Sequence, residues 1–339
     1  MCRVAEHPHE SLPAVRRPGW APLGVVLLLH CLSVVALAGP TFSAVRHCDP
    51  AVSGDGAFIA FLVDSSGSVR LHVIGADGRG ERALTDHAVG FPRTSGDGSS
   101  LTFAGVGTDS GKVFAMGFDG SGRRVVASVA GRSPVLSPNG KRVAYLVGQE
   151  GTSAVWVANA DGSRARLLTS GGQSARHPAW SPDGERLAYT RADASGHLQV
   201  HVVNADGSAD AALTRGCPPA AAVVPANTRI ADLPIDCIDP TFRMPSWSPD
   251  GRLIAVQQTT SMGTWICLID ATKRTSRQVP TRPGSGFRDN FDMGRDEAPT
   301  WFRDGQSIAF QSDQSGAMEV WITDIDPSNP RQLTGRSGH

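Results

Sequence analysis

The segment His177–Tyr189, with the sequence HPAWSPDGERLAY, decides the fold of this chain. Its centre, Ser181-Pro182-Asp183-Gly184, is typical of a tight turn. Proline has the fixed φ that suits the second turn position, and glycine adopts a positive φ at the fourth position without steric cost. Apolar and aromatic residues flank the turn on both sides, so the segment predicts two β-strands joined as a hairpin.

The same hairpin pattern recurs six times along the chain. In every repeat the turn Asp, or Asn in one case, is followed by Gly and preceded five positions earlier by Pro. Successive turn residues are separated by 42, 42, 44, 67 and 54 positions. A second turn of the Asp-Gly type occurs in the first four repeats, and a closing Leu-Thr pair occurs in the first, third, fourth and sixth repeats. The six turn residues are Asp55, Asp97, Asn139, Asp183, Asp250 and Asp304.

A period near 42 residues with about four short strands is typical of the blades of a β-propeller. One blade cannot bury both faces of its small sheet, whereas blades stacked around a common axis can. We therefore predict an all-β fold, a six-bladed β-propeller of four-stranded blades that occupies residues 41–335. The predicted blades are residues 47–86, 87–130, 131–170, 175–214, 243–280 and 296–335.

The amino-terminal segment has the pattern of an export signal. Residues 1–19 are polar, carry three arginines and are predicted to be a disordered n-region. Residues 20–40 contain no Asp, Glu, Lys or Arg, and include the small-residue motif Ala36-Leu37-Ala38, which suits signal cleavage. The uncharged run is also long enough to span a bilayer, so it is either a signal peptide or a membrane anchor helix. Both alternatives place the propeller outside the cytoplasm, as a periplasmic, secreted or membrane-anchored protein.

Two insertions, residues 215–242 and 281–295, interrupt the repeat. Each joins the last strand of one blade to the first strand of the next. We therefore expect both insertions on the same face of the propeller, beside the mouth of the central channel. Long loops in otherwise tight repeats are frequent places for function.

Four cysteines lie outside the export segment. Cys217 and Cys237 lie near the two ends of the first insertion and are predicted to form a disulfide, because such bonds persist in oxidising compartments. Cys48 and Cys267 fall on strands of blades that are not adjacent in a six-bladed ring. We expect these two cysteines to be buried thiols.

The residue seven positions before each turn residue begins the innermost strand of its blade. In three successive blades this residue is Arg132, Arg176 or Arg243. If the three side chains point towards the axis, they form an arc of positive charge that faces Asp296 and Glu297 of the last blade. Converging arginines suit carboxylates or an acidic peptide segment. The pattern predicts a ligand or partner site at the channel mouth.

A structural interpretation of the same residues stays open. The arginines could be solvated charges at the rim that pair with nearby acids. His177 could add a proton-sensitive contact to the mouth, or it could simply pack against Pro178.

Other kinds of site have little support in the sequence. The chain contains 32 Lys and Arg against 32 Asp and Glu, which gives no electrostatic footprint for nucleic acid. It has no Gly-x-Ser-x-Gly elbow, no His-Glu-x-x-His and no Cys-x-x-Cys motif. Asp289, Asp292 and Asp296 could hold Ca²⁺ with carboxylate oxygens, but their irregular spacing matches no standard motif and favours a solvated acidic loop. We predict no cofactor, with this calcium site as the one option.

The repeat resembles the TolB-type, WD-repeat-like propeller repeat, Pro-x-Trp-Ser-Pro-Asp-Gly followed by an Asn-Ala-Asp-Gly-Ser turn and Leu-Thr. The resemblance extends roughly from Cys48 to Thr334. It implies a propeller fold and a periplasmic protein that binds a partner over the central opening. Members of this family carry an α/β domain before the propeller, whereas Thr41–Arg46 alone separates the export segment from the first blade here. Thr41–Arg46 could instead add a strand to the sixth blade and close the ring.

The sequence thus predicts a non-enzymatic, exported and monomeric propeller. We expect it to bind an envelope protein or a small anionic ligand at its channel-mouth face, and to meet the membrane only through its amino-terminal segment. The alternative is a propeller hydrolase or polysaccharide lyase with an active site at the mouth. Its candidate residues would be Arg176, His177, Arg243 and Glu297, which match no recognisable catalytic constellation.

Overall fold

The computed structural model describes residues 45–65, 68–86, 89–149, 151–169, 174–214, 241–260, 263–281, 295–326 and 329–335. The chain divides into the units Met1–Ala36 and Leu37–His339, and every described residue belongs to the second unit. The predicted signal or anchor helix and the predicted Cys217–Cys237 disulfide lie outside these residues. Within the described ranges, no helix has the length and apolar character needed to cross a bilayer.

The described residues form six antiparallel sheets of four strands each, which confirms the predicted six-bladed propeller. Within each blade the strands are neighbours in the order in which they occur in the chain. The strands of the first three blades are β1 (Arg46–Val52), β2 (Phe58–Ser65), β3 (Ser68–Gly75) and β4 (Arg82–Ala83); β5 (Val89–Thr94), β6 (Leu101–Gly105), β7 (Lys112–Met116) and β8 (Arg124–Ser128); and β9 (Arg132–Leu136), β10 (Arg142–Val147), β11 (Ala154–Asn159) and β12 (Arg166–Leu167).

The last three blades repeat this arrangement. Their strands are β13 (Ala175–Trp180), β14 (Arg186–Ala192), β15 (Leu198–Asn204) and β16 (Ala211–Ala212); β17 (Thr241–Trp247), β18 (Leu253–Thr260), β19 (Gly263–Asp270) and β20 (Ser276–Gln278); and β21 (Asp296–Trp301), β22 (Ser307–Ser312), β23 (Glu319–Asp324) and β24 (Arg331–Gln332). Because β17 begins at Thr241, the last two residues of the predicted insertion 215–242 belong to the fifth blade instead. The physical reason is burial, since Phe242 is fully enclosed in that blade.

The hairpin turn in His177–Tyr189 has the conformation that the sequence predicts. Gly184 has a φ of 71°, and its backbone N–H donates to the Ser181 carbonyl at 2.8 Å. Asp183 accepts the Ser181 hydroxyl at 2.5 Å. In the equivalent turn of the second blade, bonds from the Ser95 hydroxyl and then from Ser99 lower the pKa of Asp97 to about 2. The turn carboxylate therefore closes the hairpin by accepting local hydrogen bonds.

Each innermost strand contains a β-bulge just before its second half, where its register with the neighbouring strand shifts. In five blades the residue at the bulge is not glycine and has a left-handed φ between 49° and 52°. The proline of each repeat comes directly after the residue at the bulge, as Pro178 comes after His177. Because proline lacks an N–H, it suits a place where the ladder is interrupted. The five residues are Asp49, Ser133, His177, Met244 and Ala298.

Adjacent blades are joined by tryptophan side chains and by apolar packing. The indole N–H of Trp180 donates to the Val135 carbonyl of the preceding blade at 3.0 Å. Trp247 and Trp301 make the equivalent bonds to their preceding blades at 3.2 Å and 3.0 Å. Arg186 lies over the Trp247 ring, with its guanidinium carbon 4.8 Å from the ring centroid. The tryptophan of the repeat thus stabilises the seam between blades.

The ring closes without a shared strand in the described chain. All four strands of the sixth blade come from Asp296–Gln332, and Arg46 pairs with Asp64 inside the first blade. Arg46 therefore belongs to the sheet of the first blade, and residues 41–44 lie outside the described chain.

Specific hydrogen bonds join the first and last blades instead. The backbone N–H of His47 donates to the Met318 carbonyl at 3.0 Å. The His47 Nδ1 atom also lies 2.8 Å from the Glu319 carboxylate. At the outer edge, the Arg331 guanidinium donates to the Ala76 carbonyl at 2.9 Å.

Candidate functional site

The inner ends of the blades enclose an axial cavity of about 310 Å³. All six blades contribute to its wall, with residues at or just before their first turns. Trp180, Trp247 and Trp301 form part of the wall, and the charged residues that line it are Arg93 and Arg303. No Asp or Glu is among the lining residues. The cavity wall therefore carries positive charge, and polar and apolar groups contribute to it about equally.

One end of the cavity is ringed by the second residue of each first turn. This residue is Gly or Pro in the first five blades and arginine in the sixth. The Arg303 guanidinium reaches the second blade, where it donates to the Asp97 carbonyl at 3.0 Å. The residues of this ring are Gly54, Gly96, Pro138, Pro182, Pro249 and Arg303.

The first two blades approach each other closely at this ring. The backbone N–H of Gly54 donates to the Gly98 carbonyl at 2.9 Å. A Cβ atom on Gly54 would lie 2.5 Å from the Gly98 Cα atom, which is closer than real Cβ contacts come. Glycine at residue 54 is therefore a requirement of packing between the blades.

A polar cluster connects the first, second and sixth blades along the innermost strands. Gln311 joins two of its members: its Oε1 atom accepts the Asp49 backbone N–H at 2.9 Å, and its Nε2 atom donates to Glu297 at 2.8 Å. Burial raises the pKa of the Asp49 carboxyl, and the charge of Arg93 opposes this shift. The cluster thus links the cavity wall, through Arg93, to the buried carboxyl group of Asp49 and the half-buried carboxyl group of Glu297.

Glu297 has a raised pKa for the same main reason. Burial raises its pKa, whereas the hydrogen bond from Gln311 and the charges of Arg295 and Arg243 lower it in part. The negative charge of Asp49 adds to the rise. A carboxyl group with a raised pKa can donate a hydrogen bond or transfer a proton closer to neutral pH than an ordinary one.

The structure brings together only part of the mouth that the sequence predicts. Arg243 acts electrostatically on Glu297 across the seam between the fifth and sixth blades. Arg132 donates to the Gly148 carbonyl of its own blade at 2.7 Å. Arg176 donates to the Ser174 hydroxyl at 3.3 Å.

Two further predicted residues face the interior of their blades. The His177 Nδ1 atom lies 3.1 Å from the Thr190 hydroxyl on the neighbouring strand. Asp296 is 0% exposed, and its carboxylate accepts the hydroxyls of Thr281 and Ser312. Asp296 is therefore closed to a ligand in this structure, in contrast to the prediction, because its side chain is enclosed within the sixth blade.

The residues missed by sequence reasoning depart from their repeat columns. Arg93 occupies a column that otherwise holds Ala, Val, Ser or Thr, and Arg303 replaces Gly or Pro in the turn. Asp49 occupies the bulge column, five positions before Gly54 in the first blade. Comparison of the columns for charged exceptions would have identified these residues.

The proposed calcium site receives no support from the residues described. Asp289 and Asp292 lie outside them, and both oxygens of Asp296 accept protein hydroxyls. Across the described part of the chain, no three His, Cys, Asp or Glu side chains are grouped as metal ligands. Cys48 and Cys267 are buried, at 2% and 0% exposure, as predicted.

Solved structures with this architecture have different activities. TolB from Acinetobacter baumannii has 15% identity and a TM-score of 0.60, with 83% of this chain and 64% of that chain covered. This chain thus spans less than two thirds of that TolB. An oligogalacturonate lyase from Vibrio parahaemolyticus has 12% identity and a TM-score of 0.53, with 88% and 81% covered. The propeller domain of the Pyrococcus furiosus Trilobed protease, described as having an open velcro topology, has 10% identity and a TM-score of 0.54, with 88% and 98% covered.

These likenesses establish the fold and no more, because propellers support many functions. No curated protein matches the chain in sequence. The family model of the TolB beta propeller domain matches residues 70–230. Residues 70–230 thus match the TolB beta propeller domain, and the six blades show that the chain has a TolB-like β-propeller fold.

Proposed function

We propose that this protein is a non-enzymatic binding module of the cell envelope that binds an envelope protein or a small anionic ligand at its axial channel. The observation that carries this proposal is the cavity of about 310 Å³ to which all six blades contribute. Ligand sites are typically concave, largely apolar and pre-formed, with few polar groups. The cations on its wall favour a ligand or partner segment with negative charge.

The channel mouth extends this site along the innermost strands. We propose that Arg132, Arg176 and Arg243 contact the partner there, together with Glu297 and His177. Each is one of the first three residues of an innermost strand. Arg132 donates to the Gly148 carbonyl at 2.7 Å and Arg176 donates to the Ser174 hydroxyl at 3.3 Å, so bonds to their own blades position both guanidinium groups.

The location that we propose follows from the amino-terminal segment. Residues 20–40 would direct export and would provide the contact with the membrane. The propeller itself would lie outside the cytoplasm as a monomer. Cys217 and Cys237 would then form their disulfide in the oxidising compartment.

Affinity capture from envelope extract of the source cell tests the binding function. The bait is the full chain, and the variant is Arg132→Ala, Arg176→Ala and Arg243→Ala combined. The matched control removes three exposed cations elsewhere, by Lys141→Ala, Arg164→Ala and Lys273→Ala. We expect a partner that the wild type and the control retain and the mouth variant loses. Equal capture by all three proteins would contradict a partner site at the mouth.

A hydrolase or lyase is the second candidate, and the carboxyl pair favours it. Asp49 and Glu297 both have a raised pKa and lie in one cluster with Gln311, which suits acid–base chemistry. Oligogalacturonides are a suitable first substrate, given the name of one similar structure. Turnover that Glu297→Gln abolishes, with folding retained, would establish the enzyme and replace the binding proposal.

A further inference from the structure

The wall of the axial cavity has an imbalance of charge. Arg93 and Arg303 line it, whereas none of its lining residues is acidic. Ser246 and Thr300, which carry neutral hydroxyl groups, also line this wall. Guanidinium groups in a partly enclosed site attract anions strongly, because little water screens them.

The protein compensates the positive charge of Arg93 only in part. Its Nη1 atom donates to the Pro92 carbonyl at 2.8 Å. Among the described residues, no carboxylate oxygen forms an ion pair with it within 4.0 Å. Asp49 acts on Arg93 from farther away, and burial still lowers the pKa of the guanidinium. A bound anion would supply the charge that this environment lacks.

At one level of the innermost strands, three blades carry a polar residue and the other three carry Ala or Val. Arg93, Ser246 and Thr300 occupy equivalent positions in the second, fifth and sixth blades. The same position holds Val135 in the third blade and Ala179 in the fourth. All five residues line the cavity. This mixed wall suits a ligand that has both an anionic group and an apolar body.

We propose that the axial cavity binds a small organic anion, whose carboxylate or phosphate meets Arg93, Ser246 and Thr300 and whose apolar body lies against Val135 and Ala179. The inference rests on the proposed binding function and assigns its ligand class. A cavity of about 310 Å³ is at the lower end of ligand sites, so it suits a small molecule rather than a folded segment.

Titration calorimetry on the full chain in mild detergent tests this site. The probes are 4-bromobenzoate and phenyl phosphate, which separate the carboxylate from the phosphate, and 4-bromobenzamide, which is a neutral isostere. We expect saturable binding of at least one anion, and binding of the amide that is about tenfold weaker or more. In crystals with 4-bromobenzoate, the bromine anomalous signal should lie in the cavity.

Substitutions in the cavity wall show which residues contribute to anion affinity. Arg93→Met should weaken anion binding by about tenfold or more, and Thr300→Val by roughly threefold. Arg93→Lys keeps the charge and loses the planar fork, so its affinity should lie between those of the wild type and Arg93→Met. If Arg93→Met does not fold, Arg93→Lys should still bind the anions more weakly than the wild type. The matched control is Arg186→Met, which removes a guanidinium that stacks on Trp247 and does not line the cavity. Its affinity should equal that of the wild type.

Three results would overturn the inference: no saturable binding of either anion, equal binding of the amide, or an equal loss in Arg186→Met. Failure of both anions together with retained partner capture would reject the anion site alone. Loss of partner capture in addition would reject the binding function itself.

Discussion

The side-chain carbonyl of Gln311 accepts the backbone N–H of Asp49 at 2.9 Å, so the last blade holds the first blade beside the channel. The bond is buried and spans 262 positions of the sequence. The same side chain donates to Glu297 at 2.8 Å. One residue therefore supports both the closure of the ring and the carboxyl pair.

Replacement of Gln311 should weaken the ring measurably. Gln311→Met keeps the approximate volume and leaves the buried Asp49 N–H without its acceptor, so we expect a loss of about 1–3 kcal/mol in the free energy of unfolding. The control is Gln306→Met, at an exposed turn position, which should change stability by less than about 0.5 kcal/mol. Urea unfolding of both variants gives the comparison. Equal stabilities would show that this bond does not contribute to closure.

The close approach of the first two blades makes Gly54 sensitive to a single methyl group. Gly54→Ala would place a Cβ atom 2.5 Å from the Gly98 backbone, so we expect a loss of about 1–3 kcal/mol from strain. In Gly80→Ala the new Cβ atom meets nothing within 4 Å, although the φ of 70° costs about 1 kcal/mol. Thermal unfolding of the two variants should rank Gly54→Ala as the less stable. The reverse order would contradict the packing derived for this seam.

The raised pKa of Glu297 predicts a particular dependence of stability on pH. Its pKa is raised above the unfolded value near 4.5, so the folded protein holds this proton more tightly. The corresponding stability is present below that pH and is lost as the pH rises through the folded pKa. Glu297→Gln cannot lose a proton, so its stability should fall less than that of the wild type above about pH 4.5.

Urea unfolding at several pH values from about 4.5 to 8 measures this difference. Glu185→Gln, which removes an exposed carboxylate, serves as the control and should follow the wild-type curve. Parallel curves for the wild type and Glu297→Gln would mean that the Glu297 carboxyl ionises normally in the folded protein.

The fold was accessible from sequence because the repeat columns encode local geometry. Pro178, Asp183 and Gly184 each perform in the structure the backbone role that their residue types favour. Such roles depend on neighbours along the chain, so a periodic sequence reports them directly. The number of blades and the topology followed from the same periodicity.

The site was less accessible, because side chains that are adjacent in sequence diverge in a strand. The sequence pattern predicts that Asp296 and Glu297 face the channel mouth together. Successive residues of β21 point to opposite faces, so Asp296 meets Ser312 inside the blade and Glu297 meets Gln311. The bond of Gln311 to the first blade depends on ring closure, which no local pattern encodes.

Photocrosslinking tests whether binding takes place in the axial channel. A benzophenone amino acid replaces either Thr300 in the cavity wall or Val125, which is 52% exposed on the outer strand β8. Both proteins are irradiated in envelope extract, and mass spectrometry identifies protein and small-molecule adducts. We predict a specific adduct at Thr300 and none at Val125. Adducts at Val125 alone, with the Thr300 variant correctly folded, would show that binding takes place outside the axial channel.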